Sequence, residues 1–240
     1  MKYADLTYLE IKRKVEEGYM IIVPTGCTEQ QGPHLSVDFD TWFAYELMEE
    51  VSEKLASDKN IKTLVAPVIP YGTAFEHVDF GSGYVDLPQS VFEELLYHTF
   101  KSFAQQGFKK MFLWTGCGGH DLSDMVDRFN KDFEDVSSIE TLPHPFYDSW
   151  CTFMNSTIPG GHADSFTTSI ALYRHPEKVR KELIENPNNE EPDWGSPHLN
   201  FREYSDTGVI GDPTHASAEL GKKLWEDTVN RIVQLAENKI

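Results

Sequence analysis

Val23-Pro-Thr-Gly-Cys-Thr-Glu-Gln-Gln-Gly-Pro-His-Leu-Ser-Val-Asp-Phe-Asp40 is the stretch on which the reading of this chain turns. The run that leads into it, Tyr19-Met-Ile-Ile-Val-Pro24, has the length and β-branched content of a buried strand. Gly26, Gly32 and Pro33 then stop regular structure, and Glu29, His34, Asp38 and Asp40 follow in quick succession. Asp40 opens Thr41-Trp-Phe-Ala-Tyr-Glu-Leu-Met-Glu-Glu, which has helical periodicity. In an open parallel sheet, ligands bind where the carboxyl ends of strands meet loops, so chemistry is expected here. The plainer alternative is a loop with surface carboxylates and an N-capping Asp.

Outward from this stretch, helix and strand alternate. A charged amphipathic helix over residues 7–18 precedes it, ending at Gly18. A helix over 41–56 leads to a strand over 61–70, and a long loop then carries Tyr71, Glu76, His77 and Phe80. A helix over 88–107 follows, with Val91, Leu95, Phe100 and Phe103 expected on its buried face. A third strand, 109–115, runs into Gly116-Cys-Gly-Gly-His-Asp121, and a helix is expected from there to Phe133. A strand and loop over 139–147 come next. Ile158-Pro-Gly-Gly-His-Ala-Asp-Ser places a glycine turn and His162 just before another helix, whose N-terminus could hold an anion. Residues 185–200 are polar and Pro-rich, and a long amphipathic helix closes the chain over 216–238. This alternation predicts an α/β fold: a layered, mostly parallel central sheet flanked by helices, with residues 1–240 as one domain.

With 240 residues and 40% hydrophobic content, the chain can build one large core. Acids outnumber bases by 39 to 21, and the net charge of −18 excludes a nucleic-acid partner, because phosphate contacts need clustered Lys and Arg. No run approaches the roughly 20 apolar residues of a membrane span, and Met-Lys-Tyr-Ala-Asp-Leu-Thr at the start has no apolar signal region. A cytoplasmic protein without membrane affinity is expected. Cys27, Cys117 and Cys151 are too few and too scattered for a disulfide framework.

Three glycine-rich loops carry acid, imidazole or thiol groups after strand-like runs: residues 29–40, 117–121 and 162–165. Glu, Asp and His arriving from several strand ends are what a divalent metal site in a hydrolase requires. A competing chemistry is a nucleophilic Cys117 or Cys27, with His120 three residues after Cys117 as its partner. A small cysteine packed against the sheet is the plainer reading of Cys117. No Gly-x-Ser-x-Gly elbow, phosphate loop or dinucleotide fingerprint is present.

Taken together these residues resemble the creatininase (creatinine amidohydrolase) family. The opening stretch is similar to its Gly-Ser/Thr-x-Glu-Gln-His-Gly-Pro-His-Leu-Pro motif with a following metal-bridging Asp. Further matches run in order: Pro70-Tyr-Gly with Glu76-His77, Phe80-Gly-Ser-Gly, Gly116-Cys-Gly-Gly-His for Gly-His-Gly-Gly-Asn, Gly161-His-Ala for His-Ala-Gly-Glu, and Gly208-Val-x-Gly-Asp-Pro. The resemblance implies a layered α/β fold, commonly a hexamer, with two divalent metals that activate a bridging water against a cyclic amide or related bond. By position Glu29 and Asp40 match metal ligands. The departures are Gln31 and Cys117 where the family has histidines, His120 where it has Asn, and Ser165 and Thr167 where it has glutamates.

Losing an imidazole and a carboxylate disfavours an intact dinuclear centre. One ion remains expected, held by Glu29, Asp40 and either Cys117 or His120, with zinc favoured and manganese the alternative. His162 is expected as general acid or base, and Glu76 and His77 as pocket groups that touch the substrate. Gln31, Tyr71, Phe80, Trp114 and Ser165 are candidates to bind the substrate, and core packing is the alternative for the aromatic ones. The expected activity is opening of a small cyclic polar substrate, a cyclic amide or a diketone derived from an inositol or sugar, by a homo-oligomer. A catalytically reduced member acting as a ligand-binding or assembly protein is the other reading.

Overall fold

The computed structural model describes residues 1–142, 144–154 and 161–240. Its sheet has the order β2-β1-β3-β4, formed by β1 (Met20–Thr25), β2 (Thr63–Val65), β3 (Lys110–Thr115) and β4 (Ser138–Thr141). Each neighbouring pair is parallel, with Ile22 opposite both Val65 and Phe112, and Thr25 opposite Thr115. The helices are α1 (Tyr8–Glu16), α2 (Phe39–Lys59), α3 (Gln89–Gln106), α4 (Ser123–Asp132), α5 (Phe146–Phe153), α6 (Ser165–Arg174) and α7 (Ala218–Glu237).

Side chains alternate across a strand, and both faces of this sheet are covered, so the strands read as unbroken apolar runs. Ile22, Val65, Phe112 and Trp114 enter one core with residues of α2, α6 and α7. Their neighbours Ile21, Val23, Leu64, Met111, Leu113 and Ile139 enter the other with α3 and α4. Phe43 is the aromatic centre of the first core, its ring centroid 5.8 Å from that of Trp114 and 5.9 Å from that of Trp225. At ~1.5–3 kcal/mol for each fully buried large apolar side chain, these two layers offset the cost of polar groups buried at the sheet edge.

The topology makes the crevice. β1 lies between β2 and β3, so the chain leaves β1 to one side and returns past it to the other. That reversal opens the space beyond the carboxyl ends of β1 and β3, where the 26–38 and 116–122 loops emerge. Gly26 and Gly116 follow the paired Thr25 and Thr115, and their N–H groups donate to Ile69 O and Thr25 O. A Cβ on Gly26 would lie 2.6 Å from the Asp40 carbonyl oxygen, and one on Gly116 2.7 Å from the same atom. Only bare backbone lets the first turn of α2 approach both strand ends this closely.

Several boundaries differ from expectation for local reasons. β2 shrinks to three residues, because Pro67 and Pro70 have no N–H for the ladder; Ile69 retains only an isolated bridge to Thr25. On α3 the buried stripe is Phe92, Leu96, Phe100 and Phe103, while Val91 and Leu95, expected on it, are 50% and 42% exposed. Each sits one position, about 100°, off the stripe. α5 was not expected; it starts after Pro145, which bars extension of the helix backwards. Pro143 in the expected loop, and Ile158, Pro159 and Gly160 in the expected glycine turn, lie outside the described residues.

Gly116→Ala should lower the stability by about 1–3 kcal/mol, read as a fall in the urea midpoint at unchanged m-value, because the added methyl meets backbone that cannot yield without moving α2.

Candidate metal centre

Glu29, Asp40 and Cys117 arrive from the β1 loop, the first turn of α2 and the β3 loop, and their ligand atoms lie within 4.8 Å of one another. All three are buried. Gln31 ties the carboxylates together: its Nε2 donates to Glu29 Oε1 at 3.0 Å and to Asp40 Oδ2 at 3.2 Å. Cys117 Sγ is 3.9 Å from Glu29 Oε2.

Two imidazoles close the other side, and their hydrogen bonds set their tautomers. His162 Nδ1 lies 2.9 Å from the Gly208 carbonyl oxygen and therefore donates to it. Neutral His162 consequently turns the lone pair of Nε2 towards Glu29 Oε1, 3.2 Å away, an arrangement that calls for a proton or a cation between them. His77 is the reverse. Gln30 accepts the Gly32 N–H through Oε1, so its Nε2 is the donor to His77 Nδ1 at 2.9 Å. The proton of neutral His77 then sits on Nε2, 3.4 Å from Glu29 Oε2 and 3.7 Å from Glu76 Oε1. His162 is thus disposed to accept and His77 to donate.

On the thiol side, Cys27, Cys117 and His120 also bring their ligand atoms within 4.8 Å of one another. Cys27 Sγ and His120 Nε2 are 3.0 Å apart, and the Thr73 carbonyl oxygen is 3.3 Å from the same nitrogen. The hydrogen bond from Cys27, against burial, holds the Cys117 thiol down at about 5; His120 adds to the effect. That bond and burial push Cys27 up. Burial would lower His120, but the Cys117 thiolate raises it to about 9.

Burial would also raise Glu29, yet His77 and His162 hold it well below the usual carboxylate range. Asp40 goes the other way, pushed well above that range by burial and then by Glu29 and Cys117. Burial likewise raises Glu76. The ion-pair partners of Glu29 and Glu76 are imidazoles rather than Lys or Arg. Two buried carboxyl groups, a thiol and an imidazole nitrogen, with no Lys or Arg among their ion-pair partners in the described residues, are a donor set that fits a divalent ion.

Of the residues expected at the site, Glu29, Asp40, Cys117, His120, His162, Glu76, His77 and Gln31 converge. Others do not. Trp114 is fully buried in the α2–α7 core and stacks on His144 with a centroid distance of 5.4 Å, so it cannot meet a substrate. Ser165 Oγ donates to the Asp212 carbonyl at 2.6 Å, which ties the loop to the start of α6. Tyr71 is 44% exposed on the surface, and the half-buried Phe80 lies under the Arg202 guanidinium. Sequence reasoning missed Cys27 as a possible ligand, Gln30 as the group that orients His77, and Phe201, whose ring is 5.0 Å from His77 and 5.1 Å from His162. Cys27 carried the one available signal, a thiol two residues before Glu29.

Carboxylates, a thiol and imidazoles gathered at the carboxyl edge of a parallel sheet give this α/β protein a cluster that could hold a metal ion. The creatinine amidohydrolase family matches the chain over residues 4–236, and the chain belongs to that creatininase family. It is 31% identical over 229 residues to a mycofactocin precursor peptide peptidase of Mycobacterium tuberculosis, spanning 89% of this chain and 84% of that protein. It is 25% identical over 264 residues to a 3-dehydro-scyllo-inosose hydrolase of Thermotoga maritima, spanning 98% and 82%. Creatinine amidohydrolase itself superposes with a TM-score of 0.85 at 19% identity, over 99% of this chain and 96% of that one. Creatininase structures described as a Zn–Zn type and as a Mn form give the same score at 17% and 18% identity, over 99% of this chain and 97% of each of those chains. These structural likenesses are of fold.

His34, in the middle of the opening stretch, is fully buried away from the ligand groups, its Nε2 2.8 Å from Thr168 Oγ1. Burial pushes its imidazole down from 6.5 to about 4. The unfolded chain therefore takes up a proton that the folded one refuses, so the contribution is intact above about pH 6.5 and lost as pH falls to about 4. At ~1.4 kcal/mol per unit the loss is on the order of 3 kcal/mol. His144, also pushed to about 4 by burial, adds a loss of the same sign. Urea midpoints measured from pH 7 to pH 4 should fall less steeply in His34→Gln than in the native chain.

Proposed function

We propose that the chain is a metal-dependent hydrolase that attacks a carbonyl carbon in a small polar substrate, a cyclic amide or an inositol- or sugar-derived cyclic diketone. The observation that carries this reading is the buried convergence of Glu29, Asp40 and Cys117 beside the accepting Nε2 of His162. Cys117 rather than His120 stands with the carboxylates, and its softness favours zinc over manganese. A bound divalent ion there supplies Lewis acidity and makes water a nucleophile near neutral pH.

The chain's own residues do the rest. Glu29, Asp40 and Cys117 hold the ion. His162, with Nδ1 committed to the Gly208 carbonyl, takes up a proton at Nε2 and returns it to the leaving group. His77 donates from Nε2 to a substrate oxygen, with Glu76 Oε1 3.7 Å from the same nitrogen to orient the ring. Gln31 fixes the spacing of the two carboxylates. Residues 1–240 act as one domain in a homo-oligomer, a hexamer by family resemblance, in a reducing cytoplasm that keeps Cys27 and Cys117 as thiols.

Relatives named as a peptidase, an inosose hydrolase and creatinine amidohydrolase make the test a panel: lactams, cyclic diketones and short peptides. The native protein should contain a divalent ion and turn over one class. Glu29→Gln should lose the ion and about a thousand-fold in rate. His162→Gln should lose about a hundred-fold or more in rate while keeping its metal content. No metal in the native protein, or undiminished metal in Glu29→Gln, overturns the assignment. Bound metal and tight ligand binding without turnover would favour a binding protein instead.

A cysteine hydrolase is the second reading, favoured by the low-titrating Cys117 against His120. It requires rapid inactivation by iodoacetamide that a chelator does not reproduce.

A further inference from the structure

We propose that Cys27, Cys117 and His120 form a second, softer metal seat for a zinc-class ion, sharing the Cys117 thiolate with the Glu29–Asp40 seat. The inference rests on the proposed function only in that Cys117 serves both.

The seat is placed by the sheet. Cys27 and Cys117 each stand two residues beyond a paired position, Thr25 opposite Thr115, on adjacent parallel strands. Their thiols therefore emerge at one level of the carboxyl edge, though 90 residues separate them in the chain. His120 returns from the glycine turn after Cys117 and points Nε2 at them, 3.0 Å from Cys27 Sγ.

The surroundings are shaped to the imidazole. A Cβ on Gly72 would lie 2.4 Å from both Cε1 and Nε2 of His120, so that position leaves room for the ring and for nothing larger than hydrogen. The Phe92 ring packs beside it, 4.8 Å between centroids. All three ligand atoms already lie within 4.8 Å of one another. Tetrahedral zinc with two sulfurs and one nitrogen sets ligand separations of roughly 3.5–3.8 Å, so the Cys27–His120 contact need open by only about half an ångström. The Thr73 carbonyl oxygen is 3.5 Å from Cys27 Sγ and 3.3 Å from His120 Nε2, near enough to serve as a fourth ligand.

Charge favours the same answer. Two thiolates neutralise one dication. Binding releases to solvent the proton of the Cys27 thiol and the proton carried by the His120 Nε2, and no electron moves. Thiolate and imidazole donors select zinc over magnesium or manganese, which prefer oxygen. The result is a pair of unlike seats, one rich in oxygen and one in sulfur, with Cys117 between them.

The test uses the full chain purified under reductant, loaded with Zn2+ for metal analysis and with Co2+ for absorption spectroscopy. The expected result is two ions per chain and an intense near-ultraviolet thiolate-to-cobalt band. Cys27→Ser should drop the content to one ion and roughly halve the band, and His120→Asn should weaken Co2+ binding at least about tenfold. Circular dichroism guards against loss of fold, and either variant alone suffices. A native protein with one ion that Cys27→Ser leaves in place, or a Cys27–Cys117 disulfide in the reduced preparation, overturns the proposal. Glu29→Gln separates the two readings: if it keeps all bound metal and the full cobalt band, the soft seat stands while the carboxylate seat falls.

Discussion

The seating of the first turn of α2 against the bare backbones of Gly26 and Gly116 is the contact on which the centre depends. The Asp40 carbonyl lies where a side chain at either glycine would have to be. Because that turn is pinned to two neighbouring strand ends, the Asp40 carboxylate arrives beside Glu29 from the β1 loop and Cys117 from the β3 loop. The reversal of strand order at β1 places the loops after β1 and β3 together above them. Fold and site are thus one construction: the helix that closes the first aromatic core through Phe43 and Leu47 also delivers a ligand group from its N-terminal turn.

The electrostatics follow from that crowding. Glu29 holds its charge because two imidazoles face it, whereas Asp40, buried beside it, resists ionising. Gln31 is the unusual member. It stands where the family resemblance leads one to expect a ligand imidazole, and its single nitrogen donates to both carboxylates. A neutral amide linking two carboxylates lessens their repulsion without supplying a cation. The two carboxyl groups and the Cys117 thiol are thereby left side by side as groups that could hold a metal ion.

Much of this was legible in the residues. The alternation of apolar runs and amphipathic segments points to a parallel α/β sheet, and three glycine-punctuated loops name most of the side chains that converge. What was lost was lost to tertiary geometry. Cys27 reads from sequence as a possible nucleophile and not as a ligand, since only the pairing of β1 with β3 sets its thiol beside Cys117 and His120. Trp114 alternates with Leu113 on one strand, and period-2 patterning cannot say which face holds the substrate. Ser165 follows a histidine that does converge, but its hydroxyl is taken by the Asp212 carbonyl, a contact made across 47 residues of sequence. Val91 and Leu95 are as apolar as Phe92 and Leu96, and only packing decides between the two stripes.

The glycine pair has a further consequence, for how such a protein can diversify. Backbone at 26 and 116 is locked by sterics, whereas the residues just beyond, 27, 31, 117 and 120, project from a path those glycines have already set. At 31 and 117, where the family resemblance leads one to expect histidines, an amide and a thiol change the donor set without asking the chain to find a new shape. The scaffold works as a fixed socket with exchangeable pins, so that a new set of donor groups lies a few point substitutions away rather than a refolding away.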